Sequence, residues 1–299
     1  MFKGVITPVV TLLDENKNVD YKSVEKMIEH LVDGGVNGIL FLGSIGEFFA
    51  LTNAEKEAYI DFVVEKVAGR VPVLIGTGGT QMDEVIALSK YAEKAGATAI
   101  LCVSPYYFKL DDESIYRYFA SIAEAVELPI MLYNFPDRTA HDLSPELVKR
   151  LALEYKHIVG IKDTVDNISH TRNIIQALKT VRPDFCVFSG YDEYFIPNLM
   201  AGGDGIIGGI SNLYPELFDV MYKAYLKGDF ETLAIHQATV SGLMKLYEQT
   251  KPFVAAIKMG VKLAGVDIIP EVKAPGVMAT EAETLAIEAI LKAFPPKLA

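Results

Sequence analysis

The chain has 299 residues, 51% of them hydrophobic and 22% charged, enough apolar text for a sizeable core. Its 28 Lys and Arg against 39 Asp and Glu leave a formal charge of −11, which excludes nucleic acid and anionic membrane surfaces as partners, since both demand a basic face. Two cysteines, Cys102 and Cys186, are too few for a disulfide framework or a Cys-rich zinc site, and both sit in apolar runs that read as buried free thiols.

The opening segment MFKGVITPVV is apolar but lacks the charged region and small-residue cleavage site of a signal peptide. No stretch reaches the ~18 apolar residues of a membrane span. A cytoplasmic protein is expected. From there a short apolar, β-branched run recurs eight times, each followed by a longer helical pattern. The runs are GVITPVV, GILFLG at 38–43, VPVLIG at 71–76, TAILCVS at 98–104, LPIMLYN at 128–134, HIVGIKD at 157–163, DFCVFSG at 184–190 and GDGIIGG at 203–209. They are unbroken rather than alternating, as parallel strands covered on both faces are.

The intervening segments carry helix starts. Asp20 precedes one, with Val24, Met27, Ile28, Leu31 and Val32 on one stripe; Thr52 or Asn53 and Asp111 or Asp112 open two more, and Ser144-Pro145-Glu146 a fourth. Alternating strands and helices in a chain of this length predict a (β/α)8 TIM barrel. A doubly wound open sheet is the alternative, but no Gly-x-Gly-x-x-Gly follows the first strand. The barrel is expected to span 1–228, and the helical text of 229–299 a C-terminal helical extension packed on it.

In such barrels catalytic residues stand at the C-terminal strand ends. Those ends read Gly43-Ser44-Ile45-Gly46-Glu47, Gly76-Thr77-Gly78-Gly79-Thr80, Ser104-Pro105-Tyr106-Tyr107, Tyr133 to Thr139, Lys162-Asp163-Thr164 and Ser189-Gly190-Tyr191-Asp192. Lys162 is the most informative of them. Period two puts it on the side of Ile158 and Gly160, and if that side faces the interior, desolvation favours the neutral amine that attacks a ketone. A lysine at a strand tip with its head in water is the competing reading. Tyr133 on the adjacent strand is a candidate proton shuttle, Ser44 and Tyr107 could complete a hydroxyl chain, and glycines around Ser44 and Thr77 free N–H groups for an anion. Glu47 reads as structural. His30, His157 and His236 do not cluster and no Walker-type loop occurs, so neither a metal site nor ATP chemistry is expected.

Together these residues resemble the dihydrodipicolinate synthase / N-acetylneuraminate lyase family of pyruvate-dependent Schiff-base enzymes. The likeness spans essentially the whole chain through Gly43–Glu47, Pro105–Tyr107, Tyr133–Pro136, Gly160–Asp163 and Gly202–Gly205. It implies that Lys162 forms an imine with a 2-keto acid, so that no cofactor is needed, and that Tyr133 shuttles protons. It also implies that Ser44 and the Ile45 N–H hold the keto-acid carboxylate, that Tyr107 completes the relay from a neighbouring subunit of a homotetramer, and that Ile207 offers a backbone carbonyl. Gly190 is counted with the substrate-binding positions.

Phe135 and the stretches at 73–80, 160–167 and 190–195 are most similar to bacterial 2-keto-3-deoxy sugar-acid (2-keto-3-deoxygluconate) aldolases. The expected reaction is cleavage of such an acid to pyruvate and an aldehyde. Ile45 replaces a hydroxyl residue usual in the synthase branch. Arg138 with Thr139 points instead to a dihydrodipicolinate synthase condensing pyruvate with aspartate semialdehyde. Arg138 could equally bind a sugar-acid hydroxyl or pair with Asp137 or Asp142. A sialic-acid lyase, a keto-deoxy acid dehydratase and a catalytically silent keto-acid sensor are the remaining readings. Lys162 and Tyr133, both present, speak against the last. An acidic protein that takes an anionic substrate must attract it locally, and Lys162, Arg138 and the N–H groups around Ser44 are available.

Overall fold

The computed structural model describes residues 2–296. The apolar runs form strands β1 (Gly4–Pro8), β2 (Gly38–Phe41), β3 (Val73–Gly76), β4 (Ala99–Val103), β5 (Ile130–Asn134), β6 (Ile158–Asp163), β7 (Cys186–Ser189) and β8 (Gly205–Ile206). They follow chain order in a closed barrel, the (β/α)8 fold. Every residue of the eight strands is buried, which is why they read as unbroken apolar runs. The last strand is shorter than the seven-residue run suggests. Gly205 lies at φ +148, where a Cβ would come within 1.9 Å of the Gly4 carbonyl oxygen. Beyond it, Ile207 N–H bonds to Ser189 O at 2.9 Å and the chain turns away.

The helices are α1 (Tyr21–Asp33), α2 (Asn53–Val67), α3 (Met82–Ala95), α4 (Asp112–Ala123), α5 (Pro136–Thr139), α6 (Pro145–Glu154), α7 (Ile168–Lys179), α8 (Phe195–Met200) and α9 (Pro215–Lys227), then α10 (Phe230–Leu243), α11 (Val254–Leu263) and α12 (Glu281–Ala293). The start signals are physical caps. Asp20 accepts from the N–H groups of Lys22 and Ser23, and Asp111 from that of Ser114. Thr52 forms a reciprocal capping box with Glu55, and Ser144 caps α6 with Pro145 in its first turn. No helix among the described residues is long and apolar enough to cross a membrane.

By their contacts the residues form two units: Met1–Gly4 with Pro72–Ile207, and Val5–Val71 with Gly208–Ala299. In the first, β5 and β6 pair in parallel with Tyr133 opposite Lys162 and Asn134 opposite Asp163. Both thiols are buried there, and burial pushes that of Cys102 up to about 12.

The second unit holds a buried ion pair. Lys258 of α11 is fully buried, and its ammonium meets the Glu47 carboxylate. It also donates to Glu271 O at 2.6 Å, while the other Glu47 oxygen accepts from the Lys273 N–H at 2.8 Å. Burial draws the Lys258 pKa down and Glu47 opposes it. A buried pair of this kind adds little over an apolar pair, but removing one partner strands the other charge. Glu47→Ala is therefore expected to destabilise the protein by ~3–5 kcal/mol, measured by urea denaturation. Glu47→Leu combined with Lys258→Met should recover most of the loss.

Candidate active site

In the first unit, the alternation of β6 sorts its last residues onto two faces. Asp163 accepts from Thr171 Oγ1 at 2.6 Å and meets His170 Nδ1 at 3.0 Å, both on α7, so its side chain points to the helix layer. Lys162 must point the other way. Its side chain is buried, and Nζ lies 4.5 Å from the centroid of the Tyr133 ring across the β5–β6 pairing. The two residues singled out for imine and proton chemistry are thus brought together.

Tyr133 stacks on Phe135 with centroids 5.8 Å apart and the rings 24° from parallel. The short helix α5 then carries Arg138 back, its guanidinium 5.3 Å from the Phe135 ring. Thr139, buried at the end of that turn, donates to the carbonyls of Phe135 and His141 and holds it closed. Asp142, one of the carboxylates open to Arg138 on sequence grounds, accepts instead from Asn134.

Gly190 sits against the same strand end, its N–H bonded to Asp163 O at 2.8 Å. A Cβ there would come within 1.9 Å of Thr164 Oγ1. That buried hydroxyl makes no hydrogen bond to another protein group. The sequence places Thr164 among the strand-end residues without giving it a role of its own. It lies just past the end of β6, two residues beyond Lys162, and that spacing is the available signal. Ile207 is buried where β8 ends. Tyr107 is different. It is 89% exposed at a backbone φ of +103 and meets Phe108, itself 72% exposed, edge to face.

In the second unit, the turn after β2 is closed by Gly46 N–H to Gly43 O at 3.0 Å and Glu47 N–H to Ser44 O at 3.2 Å. Thr11 Oγ1 donates to Gly46 O at 2.7 Å, and Glu47, at φ +54, ends the turn on Lys258. Ser44 is half-buried and Ile45 buried. Gly209, whose N–H bonds to the Tyr247 hydroxyl at 3.0 Å, packs against Ile45; a Cβ there would come within 2.7 Å of its Cδ1. Lys258 escaped the sequence reading, although it lies on the same apolar stripe as Val254, Ile257 and Val261. Among the described residues, no group of three or more His, Cys, Asp and Glu side chains is placed to hold a metal ion.

A parallel barrel that buries a lysine against a tyrosine at adjacent strand ends has the groups a Schiff-base lyase needs. The chain belongs to the Dihydrodipicolinate synthetase family, whose match covers residues 1–294. It is 40% identical to the putative 2-dehydro-3-deoxy-D-gluconate aldolase YagE of Escherichia coli K12, over 92% of this chain and 91% of that protein. It is also 40% identical to the probable 2-dehydro-3-deoxy-D-pentonate aldolase YjhH of the same organism, over 89% of each chain. The crystal structure of YagE in complex with pyruvate superposes with a TM-score of 0.97 at 38% identity, covering 99% of both chains.

Substituting Gly190 tests the packing of this strand end. Gly190→Ala has to displace Thr164 and is expected to cost ~1–3 kcal/mol of stability by overpacking. Activity should fall further than the fraction of folded protein, as a thermal melt compared with kcat/KM will show.

Proposed function

We propose that this protein is a class I aldolase, a carbon–carbon lyase that reversibly cleaves a 2-keto-3-deoxy sugar acid to pyruvate and an aldehyde. The observation that carries the reading is the buried Lys162 ammonium over the Tyr133 ring; the two aldolase relatives support the substrate class.

In the proposed sequence the Lys162 amine adds to the C2 ketone and water leaves, forming an iminium. Tyr133 takes the proton from the 4-hydroxyl, the C3–C4 bond breaks, and its electron pair moves into the iminium. The aldehyde departs and an enamine remains. Protonation at C3 and hydrolysis return the free amine and pyruvate. The imine is the electron sink, so no separate cofactor is required. Ser44 and the Ile45 N–H receive the carboxylate in this reading, Ile207 O and the Gly190 backbone border the substrate, and the unsatisfied Thr164 hydroxyl suits a sugar-acid hydroxyl. The exposed, backbone-strained Tyr107 beside exposed Phe108 supports a relay completed across a subunit contact; a homotetramer is the assembly this reading takes. A cytoplasmic location is part of this proposal.

Arg138 supports a second reading, a dihydrodipicolinate synthase whose arginine meets the carboxylate of aspartate semialdehyde. Its guanidinium rides on Phe135, which stacks on Tyr133, and so stands close to the reacting groups. Offered pyruvate with glyceraldehyde or with aspartate semialdehyde, the enzyme is expected to consume glyceraldehyde faster. A clear preference for the semialdehyde would overturn the aldolase reading. Arg138→Ala should then lower kcat/KM for the semialdehyde on the order of tenfold, the effect of losing one charge-assisted hydrogen bond. Sugar-acid cleavage should be much less affected.

A further inference from the structure

The residues after the reacting pair close a ring of polar groups on the far face of the same two strands. Asn134 follows Tyr133 and Asp163 follows Lys162, and the two are register partners. Asn134 Nδ2 donates to Asp163 Oδ1 at 2.9 Å and to Asp142 Oδ1 at 2.8 Å, and its Oδ1 accepts from the Leu143 N–H at 3.0 Å. Asp163, whose side chain is fully buried, takes His170 Nδ1 at 3.0 Å. His170 Nε2 lies 3.2 Å from Asp142 Oδ1, an ion-pair contact rather than a directed hydrogen bond. The circuit Asn134–Asp163–His170–Asp142 thus joins β5, β6, α7 and the segment before α6.

We propose that this ring is a positioning device for Lys162 and Tyr133, and that it works with His170 in the imidazolium form. The inference rests on the imine role of Lys162. A side chain fixed on one face of a strand fixes the roll of that strand, and so the direction of its neighbour on the other face. Asn134 and Asp163, bonded to each other, lock the roll of β5 against β6 one residue beyond the reacting pair. Doubly protonated, His170 can serve both carboxylates. Neutral, with its proton on Nδ1 toward Asp163, it presents a lone pair to Asp142 and the ring opens at that corner.

The charges around His170 are arranged for this. Asp163 faces it from β6 and Asp142 from the preceding segment. Packed helix α6 carries Glu146, Lys149, Arg150 and Glu154, with Arg150 engaged by Glu113 at 2.9 Å, and α8 has no charged residue. Burial disfavours the imidazolium, but Asp163 and then Asp142 outweigh it and hold the His170 pKa above its ordinary 6.5. A raised folded-state pKa means that the ring's contribution is complete below about 6.5 and is lost as pH rises through the folded value.

The test is the rate at which borohydride traps pyruvate on Lys162, followed by mass on either side of neutrality, in wild type and His170→Gln. The variant is expected to be slower at the acid end, on the order of tenfold for a misplaced reacting group. The gap should close at the alkaline end, where the wild type has also lost its imidazolium. A constant ratio at every pH, or none at all, would overturn the proposal. Asp142→Asn, at the half-exposed corner of the ring, guards against a His170 variant that fails to fold. It removes one carboxylate from His170, so the pH midpoint of its trapping rate should lie below that of the wild type. An unmoved midpoint counts against the proposal as well. A wild type that is not trapped at all would refute the imine reading itself, and the positioning role with it.

Discussion

The alternation of side chains at the ends of β5 and β6 is the constraint on which the proposed chemistry of the first unit depends. Two adjacent residues on each strand point to opposite faces. Tyr133 and Lys162 face away from the helices and meet at 4.5 Å, ring to ammonium; Asn134 and Asp163 face the helices and tie the strands to each other and to α7. A slip of one residue would exchange the faces, placing the lysine in the helix layer and a carboxylate at the reacting centre. Full burial of the strands makes that exchange costly, because each face has only one set of side chains it can accommodate.

On the proposed reading an acidic protein takes an anionic substrate and has to separate overall charge from local charge. The cations near the strand ends are few and placed: Lys162 on β6, and Arg138 swung back by the α5 turn onto Phe135. In the second unit the glycine-bounded Ser44–Ile45 turn carries no cation. Its order comes from a carboxylate, Glu47, that has its own buried lysine, Lys258, and the Lys273 N–H. The acidic residue next to the turn is thereby neutralised by protein groups.

Much of this was readable from the residues in order. The eight runs became eight strands, the capping residues stood where helices begin, and Lys162 and Tyr133 fell at adjacent strand ends because strand order follows chain order. What stayed hidden depends on closure over sequence distance. Glu47 and Lys258 are 211 positions apart, and the lysine looks like an ordinary polar interruption of an apolar helix until its partner arrives. His170 carries no mark in the sequence, since its two carboxylates lie on other elements and only the fold gathers them. Thr164 stands among the strand-end residues in the sequence, but what marks it, a buried hydroxyl with no protein partner, is visible only in the fold. The two-residue β8 also could not be foreseen, because the close approach of Gly205 to the Gly4 carbonyl is a property of the paired backbones.

The central claim is that Lys162 carries the substrate as a covalent imine. Peptide mapping of protein treated with pyruvate and borohydride tests it most directly. The account predicts one added mass, that of a reduced pyruvyl group, on the peptide containing Lys162, and its disappearance in Lys162→Arg. Saturating pyruvate that leaves this peptide unmodified, or that modifies another lysine in its place, would contradict it.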